Sequence, residues 1–176
     1  YLETINRQIK DIEKLVNEFS NFARMPRPIL KKIDIIKLLN KSLDFIKMTS
    51  KNKINLIKKT KNVEINGDED HLNRVFINLI KNSEESFLDI ATKDPNFKGI
   101  IDIEINDNND YIIIRLTDNG TGITDANKAM TPYFTTKKTG TGLGLPIVTK
   151  IINEHSGNFS IKNKTNGIGT VIKISL

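Results

Sequence analysis

An apolar stripe that ends at a pair of prolines is the feature that most limits what this chain can fold into. Apolar side chains recur at alternating spacings of three and four along the first segment, at Leu2, Ile5, Ile9, Ile12, Val16, Phe19 and Ala23. This heptad spacing predicts one long helix over residues 1–24. A single helix cannot bury such a stripe, so we expect a partner in a helical bundle or dimer. Packing on its own domain is the alternative.

The prolines predict where this helix ends. Met25-Pro26-Arg27-Pro28 follows the stripe, and proline removes a helical hydrogen bond and restricts the residue before it. We therefore divide the chain into residues 1–27, a helix with a stiff linker, and residues 28–176, a domain. The first residues show neither an initiating Met nor a signal peptide, so we expect a segment of a longer protein.

The second part alternates between helical and strand patterns. Helices are predicted over residues 35–49, 68–90 and 142–155, the first capped by Asp34 and the last ended by Gly157 in the left-handed conformation. Strands are predicted over residues 53–58, 62–66, 100–105, 111–116, 158–163 and 168–175, with turns at 107–110 and 166–167. Helices with antiparallel strands in this order indicate the α/β class, as a two-layer α/β sandwich.

Composition excludes several kinds of site. The chain has no cysteine, which excludes disulfides, thiolate metal sites and cysteine nucleophiles. Its two histidines, His71 and His155, are too few for a multi-histidine metal site. The net charge is +6 (27 basic minus 21 acidic residues), but the lysines are scattered, so we expect no nucleic-acid partner. No apolar run approaches the ~20 residues that a membrane-spanning helix needs.

Two polar clusters lie on a predicted core helix and directly after a predicted core strand. Asn78 and Asn82 stand one turn apart on the helix over residues 68–90, so both amides project from one face. Asp118 follows an apolar strand and precedes Gly120 and Gly122. An ionised aspartate only accepts hydrogen bonds, which suits the amine of adenine, and the glycines let a base approach the backbone. Surface asparagines and a plain β-turn are the alternatives.

Two further clusters occupy the long loop predicted over residues 119–141 and the start of the helix after it. The first is Thr131-Pro132-Tyr133-Phe134-Thr135-Thr136-Lys137-Lys138. Its aromatics can anchor a lid and its lysines can meet phosphates, although a solvated loop would also fit. The second, Gly140-Thr141-Gly142-Leu143-Gly144-Leu145, brings free amides to a helix N-terminus, which predicts an anion site. Its glycine spacing matches neither a P-loop nor a dinucleotide fingerprint.

In this order, the clusters resemble the ATP-binding catalytic domain of sensor histidine kinases, in the Bergerat (GHKL) superfamily. Residues 78–86 resemble its N box, 118–123 its first glycine box, 131–137 its F box and 140–145 its second glycine box; Gly167-Ile168-Gly169-Thr170 resembles its closing motif. The resemblance covers residues 34–176 and implies the Bergerat ATP-binding fold. Residues 11–26 resemble the second helix of the dimerisation hairpin in NtrY-type nitrogen-regulation kinases.

The resemblance implies ATP and Mg²⁺ as cofactors and a role for each matched position. Asn78 and Asn82 would be catalytic, with Asn82 as the metal ligand and Asn78 beside the phosphates. Asp118 would accept from the adenine amine, and the lysines and the second glycine box would hold phosphates. The implied cofactor-binding residues are Asn82, Asp118, Gly120, Gly122, Lys137, Lys138, Gly140, Thr141, Gly142, Leu143, Gly144 and Thr170.

The implied reaction is transfer of the γ-phosphoryl group of Mg-ATP to a histidine. Type II topoisomerases, MutL and the large heat-shock chaperones carry Glu at the position of Asn78, where it activates water, and an amide cannot take that proton. A GHKL-type ATPase and a non-catalytic ATP-sensing scaffold remain the alternatives. Neither His71 nor His155 resembles the family's phosphoacceptor, which is expected upstream of this chain.

The family also implies partners. These are a response regulator, possibly of the NtrX type, and further copies of the full-length protein through the dimerisation hairpin. This part is expected to be the cytoplasmic portion of a bacterial inner-membrane protein, reaching the membrane only through upstream segments. Ser83 departs from the family, which usually has Ala there, and we expect little effect because both residues are small.

Overall fold

The structure is a computed structural model that describes residues 2–60, 63–108, 111–137 and 140–176. Within those residues the chain forms five helices and seven strands. The helices are α1 (Leu2–Ala23), α2 (Ile35–Lys47), α3 (Glu69–Ala91), α4 (Ala126–Ala129) and α5 (Gly144–Glu154). The strands are β1 (Lys31–Asp34), β2 (Lys53–Lys58), β3 (Glu64–Gly67), β4 (Ile100–Asp107), β5 (Ile112–Asp118), β6 (Asn158–Asn163) and β7 (Thr170–Ser175).

Five strands form one sheet in the order β2-β4-β5-β7-β6. Alternate residues of β4 and β5 are buried, as expected for a sheet with one face against a core. That face packs with the apolar stripes of α2, α3 and α5 in a single cluster, in which each fully buried Leu or Ile contributes about 1.5–3 kcal/mol. The predicted two-layer α/β sandwich is therefore confirmed.

Several predicted elements differ from the structure. β2 pairs with β4 in parallel, because α3 lies between them in the chain and crosses over the sheet. β1 was not predicted; it pairs with β3 in a separate two-stranded sheet, and its sequence, Lys-Lys-Ile-Asp, shows no alternation that would indicate a strand. The turn predicted over residues 107–110 and the start of the strand predicted over 62–66 lie partly outside the described residues.

Helix ends also differ in detail. Asp34 caps α2 as predicted, and its carboxylate accepts from the N–H groups of Ile36 and Lys37. The left-handed residue after α5 is Ser156, with φ of 58°, rather than Gly157. Gly157 is required for a different reason, because a Cβ there would lie 2.5 Å from the carbonyl oxygen of Ser175.

The helix α1 forms over the predicted segment, and its heptad stripe stays largely exposed. Leu2 is 78% exposed and Ile12 is 63% exposed, so this chain alone does not cover the stripe. The C-terminal end of α1 contacts the rest of the chain: the ring of Phe22 lies 5.4 Å from the Lys150 ammonium, and Phe19 lies against Tyr133. In the described part of the chain, no helix is long and apolar enough to cross a membrane.

Candidate functional site

A cavity of about 490 Å³ lies between α3, the end of β5, the N-terminus of α5 and the loop of residues 119–143 that joins β5 to α5. We call this segment the 119–143 loop; it is described at residues 119–137 and 140–143. The cavity brings together most of the residues predicted from the sequence. Those that line it are Asn78, Asn82, Asp118, Gly122, Lys137, Gly140, Thr141, Gly142, Gly144 and Thr170.

Two predicted residues are placed differently, and a third cannot be compared. Leu143 is fully buried in the hydrophobic core and is not part of the cavity wall. Gly120 is buried behind the wall, where a Cβ would lie only 1.8 Å from Oγ of Ser86. Lys138 lies outside the described residues. Gly120 and Leu143 therefore shape the backbone on which the cavity is built, and they do not present side chains to it.

One end of the cavity is built around a buried carboxylate. Asp118 ends β5 and is 4% exposed. The backbone N–H groups of Gly120 and Thr170 donate to its Oδ1 at 2.9 and 3.1 Å, and the hydroxyl of Ser83 donates to Oδ2 at 3.0 Å. A carboxylate oxygen can accept two hydrogen bonds, so Oδ2 keeps capacity for a donor in the cavity.

Glycine is needed beside this carboxylate. Gly169 has φ of 128°, and a Cβ there would lie 2.1 Å from the carbonyl oxygen of Asp118. Gly122 has φ of 80° and packs against Asn163, whose side chain hydrogen-bonds the backbone of Ile123. The closing motif, through Gly169, therefore packs against the first glycine cluster. This packing positions the start of the 119–143 loop over the cavity.

Sequence reasoning underestimated Ser83. We expected that Ser in place of Ala would matter little, yet its hydroxyl is one of three donors to Asp118. The only sequence signal is a hydroxyl on the apolar face of α3, 35 positions before its partner. Such a pair becomes visible only when the packing of α3 on β5 is known.

The opposite end of the cavity faces the N-terminus of α5. Asn78 donates from Nδ2 to the carbonyl of Arg74 at 2.8 Å, so its Oδ1 remains available. A Cβ on Gly144 would lie 3.5 Å from Nδ2 of Asn82 and 3.6 Å from Oδ1 of Asn78. Both amides therefore flank the start of α5, which has no side-chain cap and offers free N–H groups to an anion.

Lys137, in the 119–143 loop, lies at the same end of the cavity as Asn82. The ammonium of Lys137 lies 2.6 Å from Oε2 of Glu85 and 3.4 Å from Oδ1 of Asn82. The loop folds back so that the N–H of Tyr133 donates to the carbonyl of Gly142 at 3.1 Å. Gly142 has φ of 69°, and a Cβ there would strike the backbone of Phe134 at 2.7 Å.

The helix α1 supplies one residue of the cavity wall. The hydroxyl of Thr141, in the second glycine cluster, donates a hydrogen bond to the Glu18 carboxylate. Sequence analysis did not assign Glu18 to the site, because it lies 123 positions from Thr141. The contact brings a negative charge of α1 beside the glycine cluster.

The two ends differ in chemistry. A buried acceptor suits a ring that carries an amine, whereas amides, an uncapped helix N-terminus and a lysine suit an anionic group. Among the described residues no group of three or more His, Asp or Glu could hold a metal ion. A metal at Asn82 would therefore need oxygens from the anion and from water, as Mg²⁺ commonly uses. Oδ1 of Asn82 already faces a positively charged group, the Lys137 ammonium at 3.4 Å.

Both histidines are engaged in packing. His71 is 8% exposed on α3. Nε2 of His155 accepts from the N–H of Asp68 at 2.9 Å, and its Nδ1 lies 2.8 Å from the carbonyl of Ile151. His155 thus connects the end of α5 to the start of α3, and neither ring lines the cavity.

Comparison with known proteins places the site in a family. The family model "Histidine kinase-, DNA gyrase B-, and HSP90-like ATPase" matches residues 67–176, which contain every cavity-lining residue except Glu18. The nitrogen regulation protein NtrY of Azorhizobium caulinodans is 31% identical over 176 residues, which cover 99% of this chain and 23% of that protein. The chain spans about a quarter of the length of the curated relatives that it matches.

Solved structures share the fold. The catalytic domain of histidine kinase ThkA has a TM-score of 0.72 at 24% identity, covering 84% of this chain and 95% of that chain. Full-length ShkA in complex with AMPPNP has a TM-score of 0.77 at 19% identity, covering 98% of this chain and 37% of that chain. The predicted fold, that of histidine kinase catalytic domains, is confirmed.

Proposed function

The chain belongs to the family of histidine kinase-, DNA gyrase B- and HSP90-like ATPases, and from that premise we propose that it is the ATP-binding catalytic part of a two-component sensor histidine kinase. The observation that carries the proposal is a single cavity with Asp118 at one end and Asn82 with the N-terminus of α5 at the other. ATP has the matching polarity, with an amine on its base and negative charge on its phosphates.

At the first end, Asp118 recognises adenine. Its carboxylate is held by three donors and turns its remaining acceptor capacity to the exocyclic amine of the base. Guanine would present a carbonyl oxygen at that position, and two facing acceptors would reject it. Gly122 lines this end of the cavity, and Thr170 supports it by holding Asp118 through its backbone N–H.

At the second end, chain groups neutralise and orient the phosphates. The free N–H groups of α5, together with Gly140, Thr141 and Gly142, surround the anion. Lys137 adds a positive charge, and Lys138 is proposed for the same role from the sequence alone. Asn82 supplies an amide oxygen to Mg²⁺, which adds charge neutralisation when bound.

The residue at position 78 favours transfer of the γ-phosphoryl group over hydrolysis of ATP. Asn78 holds its amide by donating to Arg74 and has no group that takes a proton from water. The γ-phosphoryl group is therefore kept for a histidine. His71 and His155 are packed away from the cavity, so we propose that the acceptor lies in another part of the full-length protein.

The helix α1 belongs to the dimerisation hairpin in this proposal. Its exposed heptad stripe is what a bundle of hairpins from two copies would cover. The functional boundary then lies between residues 27 and 28. A response regulator, of the NtrX type in view of the likeness to NtrY, receives the phosphoryl group. We place this part on the cytoplasmic face of a bacterial inner membrane.

Calorimetric titration with AMPPNP tests nucleotide binding. With Mg²⁺ present, Asn82→Ala should weaken affinity about tenfold or more, because the amide oxygen for the metal is lost. Asn40→Ala is the control, since Asn40 is also a helical asparagine but lies on α2, outside the cavity. Asp118→Asn should reduce the preference for adenine over guanine nucleotides. Unchanged affinities in both site variants would contradict the proposal.

A further inference from the structure

Glu85 is a carboxylate of the cavity that neither the reaction nor nucleotide binding has used so far. It lies on α3 one turn after Asn82, and its Oε2 is 2.6 Å from the Lys137 ammonium. The same ammonium is 3.4 Å from Oδ1 of Asn82. Lys137 therefore bridges the 119–143 loop to two residues of α3, both of which line the cavity.

This ammonium contacts the same side-chain oxygen that is proposed as the metal ligand. Oδ1 of Asn82 is the oxygen proposed for Mg²⁺, and Lys137 already contacts it. A lysine ammonium and Mg²⁺ are both cations, and they repel each other strongly at this range in a partly buried site. The two cannot share Asn82, so one must leave when the other arrives.

On the basis of the function proposed above, we propose that Glu85 is a positioning residue that holds Lys137 at the cation position beside Asn82, and that Mg-ATP binding exchanges Lys137 for Mg²⁺ there. Lys137 then moves from a carboxylate to phosphate oxygens, which are equally good acceptors for it. The exchange couples metal binding to release of Lys137, and of the residues just before it, from α3.

The negative charge of Glu85 affects nucleotide binding differently with and without Mg²⁺. Without Mg²⁺, the carboxylate retains Lys137 and repels a polyphosphate, so both effects weaken nucleotide binding. With Mg²⁺ bound beside Asn82, the same charge is attractive to the metal. Glu85 thus increases the gain in nucleotide affinity that Mg²⁺ provides.

The test compares AMPPNP affinity in EDTA with AMPPNP affinity in millimolar Mg²⁺, by calorimetry on the unaltered chain and two variants. Glu85→Gln should lower the Mg²⁺-dependent gain about three- to tenfold, mainly by tighter binding in EDTA. Lys137→Met should raise the gain, because it removes the competitor and leaves Glu85 unpaired. If the ion pair merely stabilised the loop, both variants would change the Mg²⁺-dependent gain in AMPPNP affinity in the same direction.

Glu69→Gln is the matched control. Glu69 pairs with Lys41 at 2.7 Å, so the same atoms are changed in an ion pair of α3 that lies outside the cavity. This variant should leave the Mg²⁺-dependent gain unchanged. A gain in Glu69→Gln that falls as in Glu85→Gln would overturn the inference.

A second measurement examines the contact without any nucleotide. Hydrogen exchange of the amides of residues 134–137 should be faster in Glu85→Gln and Lys137→Met than in the unaltered chain, because the loop loses its tie to α3. Equal exchange in all chains would overturn the inference while leaving the proposed function intact. Absence of AMPPNP binding by the unaltered chain, with or without Mg²⁺, would overturn both.

Discussion

At the scale of single residues, the site depends on how a buried carboxylate is satisfied. Asp118 would be costly to bury ionised without donors, and it has three. Two are backbone N–H groups, which do not depend on the hydrogen-bonding group of a side chain. The third is the hydroxyl of Ser83, which depends on side-chain identity and is therefore open to a direct test.

Ser83→Ala should destabilise the chain by about 1.5–3 kcal/mol, the usual range for a hydrogen bond to a charged group. Ser42→Ala is the matched control, because Ser42 is also a buried helical serine but donates to the neutral side-chain oxygen of Asn73 at 2.6 Å. Its loss should be smaller, about 0.5–1.5 kcal/mol. Urea unfolding of the three chains measures both values. Equal losses would show that Ser83 does not act through the charge of Asp118.

At the scale of elements, the start of α3 joins three parts of the chain. Asp68 caps α3 by accepting from the N–H of His71, and it also accepts from the N–H of Ile29 in the segment after α1. Its own N–H donates to His155 at the end of α5. Burial alone would raise the pKa of Asp68, but these backbone donors outweigh it and lower the pKa below its usual value.

Asp68→Ala should destabilise the chain by about 1–2 kcal/mol near neutral pH. Because the folded-state pKa is lowered, the charged carboxylate stabilises the fold above the unfolded-state pKa of ~3.9, and this contribution is lost as the pH falls through the folded value. The free energy of unfolding, measured in urea, should therefore be lower in Asp68→Ala than in the unaltered chain at pH ~7. At pH ~3 the two chains should differ less. Asp44→Ala, at an exposed position of α2, is the control and should change the free energy of unfolding at pH ~7 by no more than ~0.5 kcal/mol.

Helices were easier to predict from the sequence than the sheet and the loop. The stripes of α1, α2 and α3 recur at spacings of three and four residues, and Asp34 marks a start with a known cap. β1 has too few residues to show a period, and the parallel pairing of β2 with β4 depends on the crossover of α3. The four clusters identified most of the cavity wall. Ser83, Glu85 and Glu18 were not assigned, because their partners lie 35, 52 and 123 positions away.

At the scale of the whole molecule, α1 and the cavity are in contact. Glu18 of α1 receives a hydrogen bond from Thr141, and Phe19 lies against Tyr133 of the 119–143 loop with ring centroids 6.3 Å apart. The end of the helix therefore touches both the loop and the glycine cluster. A nucleotide that brings phosphates to this cluster will encounter the carboxylate of Glu18.

Glu18→Gln should tighten AMPPNP binding about threefold, because a negative charge is removed from the phosphate end of the cavity. The amide keeps an oxygen for Thr141, so the contact with the loop is retained. Glu13→Gln, at an exposed position of α1, should leave the affinity unchanged and serves as the control. Calorimetry in Mg²⁺ measures both. Weaker binding in Glu18→Gln would mean that Glu18 assists the nucleotide rather than opposing it.

The most direct test of the central claim is transfer of label from γ-labelled Mg-ATP. The chain is mixed with a dimerisation hairpin that carries a phosphoacceptor histidine and ends in the sequence of α1, and free phosphate is counted in the same tube. A histidine kinase domain should leave acid-labile label on the hairpin with little free phosphate, and Asn82→Ala should abolish the transfer. Free phosphate without labelled hairpin would contradict the claim and identify an ATPase.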